Sequence, residues 1–220
     1  MNICSAFTDP DVFRRVRGLI FDCDGVILDS RDANRMYYSI IRERMGMLPI
    51  TPEEEDYVHS HSVMESLARV IPRERLDEAN EQRKHFDYRE ILPYLYLHEG
   101  LVPFLETLQE NGVRMAVNTN RTDTMEMMLD IFELRRFFAP VITAARVSHP
   151  KPNPEGVHKI LAHWNLRGPE VAYLGDSRLD EQTARAAGVP FWAFQNLSLV
   201  AALHIPNFEI LRSCWLGAVR

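Results

Sequence analysis

Between Leu101 and Phe194 the chain repeats one rhythm, a short apolar run followed by an amphipathic stretch, and few folds accommodate it. "GLVPFLETLQENG" reads as a helix stopped at Gly112, "VRMAVNT" as a strand, "RTDTMEMMLDIF" as a helix and "APVITAA" as a short strand. "NPEGVHKILAHWN" continues as a helix, "EVAYLGD" as a strand, "RLDEQTARAAG" as a helix stopped at Gly188 and "VPFWAF" as a further strand. The strand runs are short and apolar throughout, the pattern of strands covered on both faces. The rhythm therefore predicts a parallel sheet with helices on each side. Upstream, "RGLIFDC" supplies another strand. Downstream, "LSLVAALHIPNFEILRSCW" is expected to close the sheet with one or two short helices parted by Pro206.

The region between the first strand and Leu101 breaks this rhythm. "SRDANRMYYSIIRERMGM" carries Met36, Tyr37, Ile40, Ile41 and Met45 at helical spacing, with Gly46 as a stop. "TPEEEDYVHSHSVMESLARVI" opens on Thr51 and Pro52 followed by acids, which suit the positive end of a helix. "RERLDEANEQRKHFDYREIL" also reads as helical. The expected organisation is an α/β, Rossmann-like parallel-sheet core of residues 17–30 and 93–220, an inserted, mostly helical unit at 31–92, and an N-terminal extension over 1–16.

Charge and cysteine content narrow the function classes. With 25 basic and 31 acidic residues, the net charge of −6 offers no global attraction for nucleic acid. No run approaches the ~18 apolar residues that would span a bilayer, and the start lacks the basic and apolar regions of a signal peptide. Cys4, Cys23 and Cys214 are too scattered for a disulfide framework or a zinc knuckle. These features point to a cytoplasmic protein, monomeric or homodimeric, with a small molecule as its partner and neither nucleic acid nor membrane.

In such a sheet, ligands gather beyond the carboxyl ends of the strands where the strand order reverses. The residues expected there are Asp22 and Asp24 of "LIFDCDGVILDS", Thr119 and Asn120 after "VRMAVN", Lys151 in the loop after "APVITAA", and Asp176 and Asp180 after "EVAYLG". Several carboxylates around one lysine make a poor core, because buried unpaired charge is costly. They make a good site for an oxygen-seeking divalent cation and a phosphate dianion. Gly25 lets the chain turn directly after the second carboxylate.

The motifs "FDCDGVILDS", "VNTNR", "HPKPNPEG" and "YLGDSRLDEQTARAAG", in this order from about Arg17 to Gly188, resemble those of the haloacid dehalogenase superfamily. The resemblance is to the branch that includes phosphoglycolate phosphatase and beta-phosphoglucomutase. It implies a Mg²⁺-dependent phosphatase that hydrolyses a small phosphorylated metabolite, phosphoglycolate or a sugar phosphate, through an aspartyl-phosphate. It further implies Asp22 as nucleophile and metal ligand, and Asp24 as general acid/base whose carbonyl also meets the metal. Thr119 and the Asn120 N–H would bind phosphate, with Lys151 as counter-charge, Asp176 as direct metal ligand and Asp180 as metal-site support. Residues 31–92 would be a cap, with hinges near 29–33 and 93–99. Read without the resemblance, Thr119 suits a helix cap, Lys151 an exposed lysine and Asp180 a cap or salt-bridge partner.

Within the expected cap, His59 and His61 are candidate substrate contacts. Their i,i+2 spacing sets them on different helix faces, which argues against a zinc pair. The cap lacks the glycine-containing loop common in beta-phosphoglucomutase-like relatives, which weakens a mutase assignment. Phosphomutase and non-catalytic phosphate-binding protein stand as the alternatives. A dinucleotide oxidoreductase is disfavoured because no G-x-G-x-x-G follows the first strand.

Overall fold

The computed structural model describes residues 2–60, 63–122 and 124–219, without the side chains of His59 and Ser60. It divides into two compact units, one of Met1–Leu28 with Leu97–Arg220 and one of Asp29–Tyr96. After α1 (Asp11–Arg14) the chain forms β1 (Gly18–Phe21), then passes between the units through β2 (Leu28–Asp29) and back through β3 (Tyr96–Leu97), which pair with each other.

The smaller unit holds α2 (Arg31–Arg44), α3 (Pro52–Ser60), α4 (Val63–Val70) and α5 (Leu76–Lys84). Its own core gathers Tyr38, Ile41, Met45, Ile50, Val58, Leu67, Val70, Ile71 and Ala79. The acid-led segment from Thr51 is helical over its described residues, α3 and α4. The stretch from Arg73 is helical only as far as Lys84. Beyond it, Asp87 caps a 3-10 turn by accepting from the Arg89 N–H at 3.0 Å, and Pro93 lies in a second such turn.

The larger unit continues with α6 (Leu101–Glu110), β4 (Arg114–Asn118), α7 (Thr124–Ile131), β5 (Val141–Ile142), α8 (Glu155–Trp164), β6 (Val171–Gly175), α9 (Arg178–Ala187), β7 (Phe191–Phe194), β8 (Leu203–Ile205) and α10 (Phe208–Val219). Six strands form one parallel sheet in the order β5-β4-β1-β6-β7-β8. This is the α/β, Rossmann-like sheet that the rhythm predicts. The strand order reverses at β1, which lies between β4 and β6. Phe21 stands level with Val117 and Leu174, so Asp22, Asn118 and Gly175 follow at one sheet edge.

Alternation along the strands divides the core between the two faces. Ile20, Tyr173, Phe191 and Ala193 pack with Val157, Ile160 and Trp164 of α8 and Ala184 of α9. Trp192 and Phe194 join an aromatic cluster with Phe13 of α1, Phe104 of α6, and Phe208 and Trp215 of α10.

Two expectations are corrected here. Residues 2–16 are not an extension: Cys4 N–H donates to the His204 carbonyl at 2.8 Å, Ile3 bridges His204, and Phe13 is buried between Trp192 and Trp215. The apolar periodicity of this segment is too short to read, and only the aromatic cluster gives Phe13 a place. The segment before Pro206 is also not a helix. Leu203–Ile205 is a strand because β7 offers it an unpaired edge, and Leu203 and Ile205 are fully buried there. Among the described residues, no helix is long and apolar enough to cross a membrane.

Candidate active site

Asp22 follows β1 directly, and its N–H donates to the Leu174 carbonyl of β6 at 2.9 Å. The chain then turns sharply. The Cys23 carbonyl accepts from the N–H groups of Ile27 and Leu28, and the Gly25 N–H donates to the Leu28 carbonyl at 2.8 Å. Gly25 holds φ +72°, and a Cβ there would lie 2.0 Å from Asp176 Oδ2. Glycine is therefore required twice, for the left-handed backbone and for the carboxylate packed against it.

The loop after β4 is held from both sides. Thr119 N–H donates to the Ile142 carbonyl at 3.0 Å, and its hydroxyl oxygen accepts from the Arg121 N–H at 3.1 Å. Since α7 starts at Thr124, Thr119 does not cap it. The Asn120 side chain grips the backbone of Lys151: Oδ1 accepts from the Lys151 N–H at 3.0 Å and Nδ2 donates to its carbonyl at 3.2 Å. The Asn120 side chain thus fixes the lysine's loop, a contact that sequence spacing did not indicate.

Lys151 is buried, with Nζ 2.7 Å from Asp22 Oδ1 and 2.7 Å from Asp180 Oδ1. Asp180 lies in the first turn of α9 and has no exposure. Its Oδ1 also lies 3.1 Å from the Tyr173 hydroxyl, and its Oδ2 accepts from the Ser177 hydroxyl at 2.5 Å and the Ser177 N–H at 3.2 Å. Ser177 returns the favour as N-cap, its hydroxyl accepting from the Asp180 N–H. Carboxylate oxygens of Asp22, Asp176 and Asp180 lie within 4.8 Å of one another. Donors on both Asp180 oxygens brace that residue within the cluster. Asp24 accepts two bonds from Arg121: Nε to Oδ2 at 2.7 Å and Nη2 to Oδ1 at 2.6 Å.

Electrostatics follow from this crowding. Burial, and then the Asp180 charge, push the Asp22 carboxyl up to about 7 against the pull of Lys151. Burial, then Asp180 and Asp22, hold Asp176 well above the usual carboxylate range. Burial works against the Lys151 charge, but Asp180 and Asp22 outweigh it and keep the ammonium protonated. With all three clustered carboxylates ionised, the one ammonium leaves an excess of two negative charges. A divalent cation with oxygen ligands fits that donor set and its charge.

Asp22, Asp24, Thr119, Asn120, Lys151, Asp176 and Asp180 thus come together at the carboxyl edge of β1, β4 and β6 and the loops beyond. His59 is in the last turn of α3, and His61 lies outside the described residues. Sequence reasoning missed Arg121, Tyr173 and Ser177. Arg121 stood in "VNTNR" and Ser177 in "GDSRLD", so the serine was legible as an N-cap three residues before an acid. Tyr173, inside an apolar strand, gave no signal.

Comparison with known proteins identifies the family. The family profile "Haloacid dehalogenase-like hydrolase" matches residues 19–194. The chain is similar to a phosphoglycolate phosphatase of Rhodobacter capsulatus, 30% identical over 79% of this chain and 81% of the relative. It is 26% identical to the pyrophosphatase PpaX of Anoxybacillus flavithermus over 79% of this chain and 80% of that one. A crystal structure of a HAD-superfamily hydrolase, subfamily IA, variant 1, from Geobacter sulfurreducens superposes with a TM-score of 0.80 at 36% identity, covering 91% of this chain and 97% of the other. The chain belongs to the haloacid dehalogenase-like hydrolase family, as an enzyme in a branch whose curated relatives include phosphatases.

Proposed function

We propose that the protein is a Mg²⁺-dependent phosphatase that hydrolyses a small phosphate monoester through an aspartyl-phosphate on Asp22. The observation that carries this reading is the placement of Asp22 at the end of β1, bonded to Lys151 and set in the cluster with Asp176. Asp22 attacks phosphorus, the ester P–O bond breaks, and protonated Asp24 gives its proton to the leaving alkoxide. Water then attacks the phosphorus, Asp24 accepts its proton, and the P–O bond to Asp22 breaks, releasing inorganic phosphate and restoring both carboxyl groups. The Thr119 hydroxyl and the Asn120 N–H suit the nonbridging oxygens, and the Lys151 ammonium offsets charge on nucleophile and phosphate.

Asp22, Asp176 and the Asp24 carbonyl would hold Mg²⁺, which when bound offsets the repulsion between carboxylate and phosphoryl oxygens. The helical unit Asp29–Tyr96 is, on the same reading, the cap. Phosphoglycolate is the first substrate to try, since a relative bears that name, and inorganic pyrophosphate the second. The test is phosphate release over a panel containing both, with sugar phosphates, in Mg²⁺ or EDTA and with Asp22→Asn. Turnover that is lost in EDTA and in the variant supports the reading. Full turnover by folded Asp22→Asn refutes it, and isomerised sugar phosphate without phosphate release points to a mutase.

A further inference from the structure

The loop after β4 does more than carry Thr119. Two residues on, Arg121 presents the Nε/Nη2 edge of its guanidinium to both oxygens of Asp24, at 2.7 and 2.6 Å. This two-bond geometry fixes the plane of a carboxylate as well as its distance, which a single point charge cannot do. The grip is asymmetric in exposure: the Arg121 side chain is 9% exposed and that of Asp24 39%. The buried partner is the anchored one. Arg121 N–H donates to Thr119 Oγ1 at 3.1 Å, its carbonyl accepts from the Ala144 N–H at 2.9 Å, and Nη1 reaches Thr124 Oγ1 at 3.4 Å. Asp24 sits on a turn whose own backbone bonds hold the main chain.

We infer that Arg121 is the positioning residue for the acid/base carboxylate: it sets where the oxygens of Asp24 point, and through Thr119 Oγ1 it ties that direction to the phosphate-binding loop. The inference rests on the proposed phosphatase reading. Each carboxylate oxygen accepts more than one hydrogen bond, so the grip leaves Asp24 a lone pair for proton transfer. Arg121 touches neither the leaving group nor water in this role. Its effect is confined to steps in which Asp24 handles a proton.

That confinement gives the test. An alkyl phosphate ester has a poor leaving group and needs Asp24 as acid in the first step. An aryl ester with a stable phenolate needs little protonation there, and kcat/KM reports that first step alone. Wild type, Arg121→Gln and Arg121→Lys are compared on both esters in Mg²⁺. Loss of positioning is expected to lower kcat/KM for the alkyl ester about 10²-fold in Arg121→Gln. For the aryl ester kcat/KM is expected to stay within roughly threefold on the same argument. Arg121→Lys, which keeps the cation but not the fork, is expected to fall between on the alkyl ester only, and it carries the test if the glutamine variant does not fold. Equal losses on both esters would assign Arg121 to the phosphate itself, and no loss on either would deny it any role; each overturns the inference. Absence of Asp22-dependent turnover in the wild-type protein removes the parent reading, and the inference with it.

Discussion

Replacing Lys151 by methionine tests the electrostatic account of the site most directly. The side chain length is nearly kept, so the change removes the ammonium and little packing. In the native structure that ammonium is 4% exposed and makes 2.7 Å contacts to both Asp22 and Asp180, the latter with no exposure. Its loss leaves two carboxylates facing each other in a buried site, one of them with the Ser177 and Tyr173 donors still on it. Breaking a buried ion pair from one side costs about 3–5 kcal/mol, because the other charge is stranded. For a chain of this size that corresponds to a fall of roughly 6–20 °C in Tm.

The penalty depends on pH in a defined direction. Lys151 pulls the Asp22 carboxyl down to about 7 in the native site, so without it Asp22 keeps its proton to higher pH, and the variant holds above pH 7 a proton that the native protein releases. The loss in Lys151→Met is therefore larger at pH 8 than at pH 6. Adding Asp180→Asn removes the other stranded carboxylate, and the double variant is expected to lose less than the sum of the single changes, with a coupling of about 0.5–3 kcal/mol. Denaturant titrations at the two pH values, in EDTA, read all of this. A Lys151→Met protein within about 1 kcal/mol of wild type at pH 8 would refute the reasoning, given the 3–5 kcal/mol expected of a stranded buried charge, as would a penalty indifferent to pH.

The remaining expectations concern the carboxylate cluster and the core. Gly25→Ala puts a Cβ 2.0 Å from Asp176 Oδ2 at φ +72°, so it is expected to cost about 2–5 kcal/mol in a thermal melt and, on the proposed reading, to abolish the stabilisation that Mg²⁺ would give. Asp22 has a folded pKa of about 7, raised above the unfolded value of 3.8, so the native state binds the extra proton and metal-free stability falls as pH rises across that window. Asp22→Asn in EDTA at pH 8 is therefore expected to melt higher than wild type, by roughly 1–3 kcal/mol, and a lower melt would contradict the burial argument. Phe13→Ala empties the space between Trp192 and Trp215 and is expected to destabilise by about 3–5 kcal/mol, whereas a mere extension would lose nothing measurable.

The sequence by itself determined the sheet. Strand runs such as "GLIF" and "VAYLG" have no polar face, so they can only be buried on both sides, and the intervening helices with Gly112 and Gly188 at their ends leave a parallel arrangement as the outcome. It also determined which residues sit at the carboxyl edge, because Asp22, Thr119 and Asp176 follow their strands within a residue or two. What these residues touch depended on the tertiary structure. Asp180 reads as a cap or salt-bridge partner from its residues and as metal-site support from the resemblance; Ser177 nearby fills its Oδ2, and only the approach of Lys151 and Tyr173 from other segments fills its Oδ1. The resemblance assigns the Asn120 N–H to phosphate and gives its side chain no place, and that side chain closes on the Lys151 backbone 31 residues away. Arg121 meets Asp24 across 97 residues, and Phe13 finds its place only once β7 and α10 have brought two tryptophans together. Periodicity reports which side of an element is buried, because that is set within a few residues. A hydrogen-bond partner is set by how separate elements pack, and no local pattern encodes it.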